Sequence, residues 1–425
     1  MKRRLLPILM TLVLVCALPI WAAFVTSGDV TNPLVCTAGA TSPPDNAATR
    51  LKSAISNGGD VRLTEDIEIS ETLVVTRDVT LDLNGHVLKM TGDGSVLHVK
   101  KDGPNTVTLT IMDSSAAKSG TITGGNAEDG DGGGVYVGAY ATLEMTGGCI
   151  TGCRAEDGGG VYIDNNATLK MTGGCITGCY AKWGGGIFLD GTLYMSGTAR
   201  IADCTAGTET TDAIYNRNSG SLLYADGGTV DGTVNNQGAI KHSAGAADVT
   251  VFNGTVYNRA RKSIEAGIYN GTVENTGSII GGTFYGTVTN QKDSLLPEVG
   301  TITGGTFAVR FDTGDGTKPE PKLVPWNGKV PRPMSDPEKS GHTFIDWYLG
   351  DALYDFNTPV TAPLTLTARW EEVPSSGGNY YYHPTTDTKA DDAKGSPKTA
   401  DPGVALYGVL SLLSLTGLTC TAKKR

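Results

Sequence analysis

The chain has 425 residues, 58 of them Gly, with 18% charged and only 7% aromatic residues, which suits a glycine-cornered β architecture better than a packed α/β enzyme. Residues 24–399 hold 28 basic and 43 acidic residues, a formal balance of −15. Such a surface stays soluble and repels nucleic acid and anionic membranes, so DNA and RNA are not expected as partners.

Residues 1–23 read as a secretory signal peptide. Lys2-Arg3-Arg4 precede an apolar run from Leu5 to Ile20, and Ala22-Ala23 supply small residues for cleavage. At 43–58 the pattern predicts a short capping helix, with Asp45 or Asn46 as its cap, Leu51, Ala54 and Ile55 on one face, and Asn57-Gly58 at its end. A helix placed there would cover the exposed first coil of a solenoid. Strand-like runs follow at once: Val61-Arg62-Leu63, Ile67-Glu68-Ile69, Leu73-Val74-Val75 and Val79-Thr80-Leu81-Asp82-Leu83. Asn84-Gly85 makes a turn, and Val96 to Val99 and Val107 to Ile111 continue the alternation.

From Gly132 to Cys204 one phrase is said three times. Gly132-Gly133-Gly134-Val135-Tyr136-Val137 returns as Gly158 to Ile163 and again as Gly184 to Leu189, each copy displaced from the last by 26 in sequence number. Thr142 to Cys153 recurs as Thr168 to Cys179 with only Glu144 changed, to Lys170. A fixed period in the twenties, made of short alternating strands and glycine corners, is the mark of a solenoid. Each triplet such as Val135-Tyr136-Val137 is a strand with one buried face, and the glycines are expected to supply positive φ at the bends. No space remains for a helix in the repeat. Beyond Cys204 a shorter phrase appears at Gly232, Gly254, Gly271 and Gly286, in steps of 22, 17 and 15 in sequence number, which predicts narrower coils.

With "TLDLNGHVL" from Thr80 and the "MTGG.ITG" repeats, residues 60–306 resemble the right-handed β-helix of the pectin-lyase-like fold. The resemblance implies fold rather than activity. A second resemblance covers 307–371. Val309-Arg310-Phe311-Asp312, Gly341-His342-Thr343-Phe344, Trp347-Tyr348, Tyr354-Asp355-Phe356 and Leu364 to Trp370 look like one Listeria–Bacteroides repeat, an internalin B-repeat-like module of the β-grasp kind. Such modules are extracellular spacers or weak binders, and no catalytic residue comes with the resemblance. Phe344, Trp347, Phe356 and Trp370 are expected to form the core of this small domain.

Residues 372–395 read as a disordered tether too poor in apolar residues to pack. Residues 396–425 begin with Ser396-Pro397-Lys398-Thr399-Ala400, run through an apolar span from Val404 to Ala422 and end in Lys423-Lys424-Arg425. The span suits one membrane crossing with its basic end inside. The three-part order resembles a sortase cell-wall sorting signal, which implies cleavage after Thr399 and transfer to a peptidoglycan amine. Ser396 and Ala400 depart from the commonest motif, leaving the sortase class open.

Pectin-lyase-like folds host lyases and hydrolases that use clustered carboxylates, calcium and a basic residue. Here Glu128-Asp129-Gly130-Asp131 and Glu156-Asp157 precede the glycine triplets, but the third repeat has Lys182-Trp183 instead, as expected of solvated turns. Five scattered histidines lack metal spacing. No catalytic residue, cofactor or metal is expected. One coil apart, Tyr136, Tyr162 and Phe188 should stack on the outer face, either as a stabilising ladder or as a strip that binds sugar rings; Glu144 and Lys170 should be vertical neighbours.

Cys149 and Cys175 stand one full period apart, as do Cys153 and Cys179, and Cys204 follows Cys179 one position short of a period. One rung of about 4.8 Å lies within the reach of a disulfide, and export favours oxidation. Bridges Cys149–Cys175 and Cys153–Cys179 are therefore expected, against a stack of reduced thiols acting as apolar fillers. The sequence leads to the expectation of a secreted, adhesin-like protein covalently attached to a Gram-positive cell wall. Its partners would be sortase, peptidoglycan and a host, matrix or glycan ligand. A polysaccharide lyase or hydrolase and a non-binding stalk are the alternatives.

Overall fold

The computed structural model describes residues 46–207, 212–292 and 299–374. The expected signal peptide, the expected tether beyond residue 374, and the expected sorting signal with its apolar span lie outside the described residues; Glu372, expected in the tether, instead ends a strand. Apart from one helix the described chain is all β, and its strands stack in parallel as a right-handed β-helix. Among the described residues no helix is long and apolar enough to cross a membrane.

The helix, α1, spans Ala47–Asn57. Asn46 caps it by accepting from the Thr49 amide at 2.8 Å, and Gly58, at φ +80°, closes it by donating to Ala54 and Ile55. This is the residue pair that helix ends favour for the same reasons, a side-chain acceptor in front and a left-handed glycine behind. Leu51 and Ile55 are buried beneath it, within the apolar core of the first coils.

Each phrase of the repeat is one coil, and the same residue of each phrase lies on the same rung position. Thr142–Met145 pairs with Thr168–Met171, Cys149–Thr151 with Cys175–Thr177, and Val135–Val137 with Val161–Ile163. Leu143, Leu169 and Leu193 point inward in one column and are fully buried, as are Ile150, Ile176 and Ile201 in another. A short third sheet, Asn126–Asp131, Arg154–Asp157, Tyr180–Trp183 and Thr205–Ala206, closes the wide coils.

The glycine triplets do two jobs. Only the first glycine of each adopts positive φ, at Gly132 (+67°), Gly158 (+67°) and Gly184 (+59°). The other two are required by space: a Cβ on Gly133 would sit 2.2 Å from the Arg154 carbonyl oxygen, and one on Gly134 would sit 2.4 Å from Ile150 Cγ2. The main chain passes so close to the neighbouring coil that no side chain fits.

After Thr205–Ala206 the third sheet ends and the coils narrow. The register there is fixed by the column Val234, Val256, Val273 and Val288, each valine pairing with the next. The interior changes with the width. The isoleucine column continues through Val230 into Phe252, Tyr269, Phe284 and Phe307, whose rings stack at 4.8–5.4 Å. Opposite, Val137, Ile163 and Leu189 give way to Asn216, Asn236, Asn258, Asn275 and Asn290. Each asparagine Nδ2 donates to the next Oδ1 at 2.7–2.8 Å. A buried amide needs such a partner, and a ladder supplies one per rung.

The boundary near residue 306 falls inside one continuous strand, Thr306–Asp312. Its first half pairs with Thr283–Phe284 of the last coil, and its second half with Leu364–Thr367 of the C-terminal module. Lys322–Pro325 pairs antiparallel with the first half, and His342–Leu349 joins the strand Leu364–Glu372. Module and solenoid therefore share a sheet. Trp347, 2% exposed, packs edge-on against Phe311 and Phe344, and Trp370 donates through Nε1 to the Thr313 carbonyl at 2.9 Å. A cavity of about 470 Å³ opens between Arg310–Asp312 and Lys318–Pro321, where Pro319 and Pro321 have no N–H to extend the antiparallel pairing.

Replacing Asn258 by Leu keeps the branched shape but leaves Asn275 Oδ1 without its ladder donor, and Asn236 Nδ2 with only the Ser263 carbonyl at 3.3 Å. The expected loss is about 1–3 kcal/mol, from one orphaned buried acceptor. Asn290→Leu, at the exposed end, is expected to cost below about 1 kcal/mol, because Asn275 Nδ2 also reaches the Thr301 carbonyl at 3.1 Å. Urea unfolding of both variants checks the ladder, and equal losses would remove it as a source of stability.

Candidate functional site

The second sheet carries a column of rings on its outer side. His98 meets Tyr136 edge-on at 4.7 Å. Tyr136, Tyr162, Phe188 and Tyr215 then stack at 5.1, 5.1 and 5.4 Å, the first three nearly parallel. The column arises because the middle residue of each three-residue strand turns away from the core. Of the two arrangements the sequence left open, it has the form of a stacked ladder rather than of an open strip. Tyr162 is 7% exposed and Phe188 2%. Parallel stacking makes each ring face the neighbour of another ring face, so the column presents mainly edges and hydroxyls to its outer side.

Carboxylates flank the column on both sides. Asp131, Asp157 and Trp183 are in register at the ends of third-sheet strands. Asp164 and Asp190 follow directly after the second-sheet strands, and on the next coil Arg217 takes that place. Tyr136 donates its hydroxyl to Asp164 at 3.3 Å, while Asp190, 8% exposed, accepts from Arg217 and Asn218, each at 2.8 Å. The Arg217 guanidinium also lies 5.4 Å from the Phe188 ring centre. Trp183 packs on Tyr215 at 5.3 Å and so completes the face where the third coil lacks an acid.

Glu128, Asp129 and Glu156 are exposed, as expected of solvated turns, but Asp131 and Asp157 are half-buried. They end strands whose alternate residues, Ala127, Ala155 and Ala181, are buried, so the strand geometry places Asp131 and Asp157 beside the ring column. The outcome is electrostatic crowding. Burial, then Asp131 and Glu156, push the Asp157 carboxyl up to about 6, against the pull of Arg217 and Lys182. Burial, with Glu156, Asp164 and Asp190, raises Asp131 as well. Burial and Asp164 push the Tyr136 hydroxyl to about 12. Two neighbouring carboxylates of which one keeps its proton can donate one hydrogen bond and accept others, and can hold or release a proton near neutral pH.

The repeat period, applied to the acids as it was to the rings, would have found this arrangement: Asp131 to Asp157 and Asp164 to Asp190 are each one period apart. What the period could not supply was the third sheet that half-buries Asp131 and Asp157.

Elsewhere the expected pairs fall as follows. Lys170 Nζ meets Glu144 at 2.9 Å on exposed surface, where such a pair adds little. Cys149 and Cys175 form a disulfide between adjacent coils, with their Cα atoms 4.6 Å apart. The second expected bridge is absent: Cys153 and Cys179 are buried free thiols, as is Cys204. Their side chains point into the core, where each sulfur lies against the carbonyl two residues earlier, of Thr151, Thr177 or Ala202, at 3.2–3.5 Å. The residues expected to form a sorting motif, Ser396, Pro397, Lys398, Thr399 and Ala400, lie outside the described residues. Among the described residues no three His, Cys, Asp or Glu side chains are grouped to hold a metal ion.

Residues 307–369 match the Listeria-Bacteroides repeat domain. That repeat family is typical of extracellular bacterial surface proteins, so the chain carries a surface-protein module behind its β-helix. No curated protein and no solved structure matches the chain.

The raised Asp157 carboxyl has a consequence for stability. An unfolded Asp loses its proton near 3.8 and the folded one near 6, so between these values the folded state binds more protons. Its contribution to stability is present at the acid end and is lost as pH rises from about 4 to about 6. Asp157→Asn is expected to remove this slope and to gain on the order of 1–2 kcal/mol at neutral pH, after allowance for solvent screening of a half-buried group. Thermal melts of both proteins across that range check it through their difference. A difference independent of pH would mean that Asp157 titrates normally.

Proposed function

We propose that the protein is an adhesin-like surface protein, covalently anchored to a Gram-positive cell wall, whose β-helix binds host, matrix or glycan ligands through the face around Tyr136 and Tyr162. One observation carries the binding reading: hydroxyls, ring edges and the carboxylates of Asp131, Asp157, Asp164 and Asp190 converge on one face of consecutive coils. Such a face hydrogen-bonds polyols or amines, and its negative charge disfavours anionic polymers. The extracellular character of the repeat family supports the location, as does the order of motif, apolar span and basic tail at 396–425.

The binding test is a glycan and matrix-protein array probed with residues 24–399 and with a Tyr136→Ser, Asp164→Asn variant. Tyr136 is half-buried at the end of the stack, so its loss spares the core. At least a tenfold loss of binding is expected for the captured ligand. Unchanged affinity with an intact circular dichroism spectrum would exclude this face.

Anchoring rests on Thr399, whose carbonyl a sortase cysteine would attack before peptidoglycan takes the acyl group. Thr399→Ala is expected to shift the protein from the wall fraction resistant to boiling detergent into the membrane and medium. An unchanged wall fraction would refute sorting.

A second reading has a specific observation behind it. A carboxyl held protonated to about pH 6 beside a second carboxyl is a general acid–base arrangement, which a polysaccharide hydrolase or lyase would use. Release of reducing sugars or unsaturated products from pectin, alginate or glycosaminoglycans, lost in Asp157→Asn, would favour it over binding alone.

A further inference from the structure

Three buried thiols remain outside the face described above. Cys153, Cys179 and Cys204 belong to consecutive coils, and their backbones are in direct register: the Tyr180 amide donates to the Cys153 carbonyl and the Thr205 amide to the Cys179 carbonyl, both at 2.9 Å. All three side chains take the same inward course. Cys179 lies 3.8 Å from the Ile150 carbonyl one rung away, and Cys204 lies 3.8 Å from the Ile176 carbonyl in the same relation. Repetition of one side-chain orientation at one rung spacing puts the three sulfurs in a line along the solenoid axis. The third glycines of the triplets keep the line narrow, since a Cβ on Gly160 or Gly186 would meet Cys179 or Cys204 at 3.5 or 3.2 Å.

We propose that these thiols form a buried exchange column holding a single disulfide that always includes Cys179 and moves between Cys153 and Cys204. A disulfide spans one rung, as Cys149–Cys175 does on the outside of the same coils, but not two. Two rungs are about 9.6 Å at strand spacing, beyond the roughly 6.8 Å between Cα atoms that a bridge accepts. Cys153 and Cys204 therefore cannot pair with each other.

The oxidation balances with a small disulfide such as oxidised glutathione. Two column thiols lose two protons and two electrons as their S–S bond forms, and the oxidant takes them up as two glutathione thiols. The exchange step needs no oxidant. The Cys153 thiolate attacks Cys179 Sγ, the Cys153–Cys179 bond forms as the Cys179–Cys204 bond breaks, and Cys204 leaves and takes up the proton that Cys153 gave up; the reverse step returns the bond. Attack of a thiolate on a disulfide sulfur is a single displacement, and three sulfurs in a line give the attacking and leaving atoms opposite sides of the central one. Cys153 suits the attacking role: in the reduced column a hydrogen bond from Cys179, with the Gly125 and Gly124 amides, holds its thiol below the usual value, and the two amides remain once Cys179 is bridged, whereas hydrogen bonding to Cys179 and burial push Cys204 well up.

Tryptic mapping of the full chain tests the column, after refolding from urea in a glutathione redox buffer that exposes the thiols. Cys149 and Cys153 share the peptide 119–154, and Cys175 and Cys179 share 171–182, while Cys204 lies in 201–217. A Cys149→Ser, Cys175→Ser background therefore isolates the inner pairs. Two linked products are expected, 119–154 with 171–182 and 171–182 with 201–217, never both in one molecule. Cys179→Ala should leave no inner bridge, and Cys179→Val, which fills the site, serves if alanine leaves the coil unfolded. A Cys153–Cys204 link, a single product, or no inner disulfide in the background chain would each overturn the proposal.

Discussion

Everything in the solenoid follows from one constraint: each coil must hydrogen-bond in parallel to the coil before it, residue over residue, at strand spacing. A side chain therefore meets its own counterpart from the previous repeat as its nearest neighbour. Apolar residues accept this readily, and the leucine and isoleucine columns are fully buried. Glycine is demanded wherever the main chain of one coil passes within a side chain's reach of the next, as at Gly133 and Gly134.

The same constraint is costly for charges. A repeated Asp is set beside a repeated Asp, and a third-sheet strand that buries its alanines half-buries Asp131 and Asp157 with them. Consistency of local pattern with global fold is what makes a sequence fold well, and the acidic face is where this chain departs from it. The departure coincides with the ring column and with Arg217, the one cation that reaches both Asp190 and the Phe188 ring among the described residues. Stability at neutral pH is given up at the surface where binding is proposed.

Coil width is the second variable. When the third sheet ends, fewer residues must enclose the interior, and the side chains adapt by forming flat stacks that need little lateral room. Aromatic rings replace isoleucine and amide ladders replace aliphatic columns. The C-terminal module then takes up the last open edge through the shared strand Thr306–Asp312, so it covers the end of the solenoid as well as extending the chain.

The sequence by itself determined the architecture, because a fixed period in the twenties with alternating strands and glycine corners admits few folds. Its ring, cysteine and Glu144–Lys170 columns were legible by counting, since register in a solenoid is a matter of period. The repeat module was legible from its aromatic spacing. Counting does not give depth. Only the tertiary structure decided that the ring strip is covered, that Asp131 and Asp157 belong to a half-buried face, and that Cys149 pairs outward while Cys153 and Cys179 turn inward. It also fixed the register of the narrow coils and the strand that joins helix to module. The physical reason is common to all of these. Burial, and with it charge state and thiol access, depends on which neighbouring coil lies across a side chain, and the repeat specifies the neighbour above and below but not the one beside.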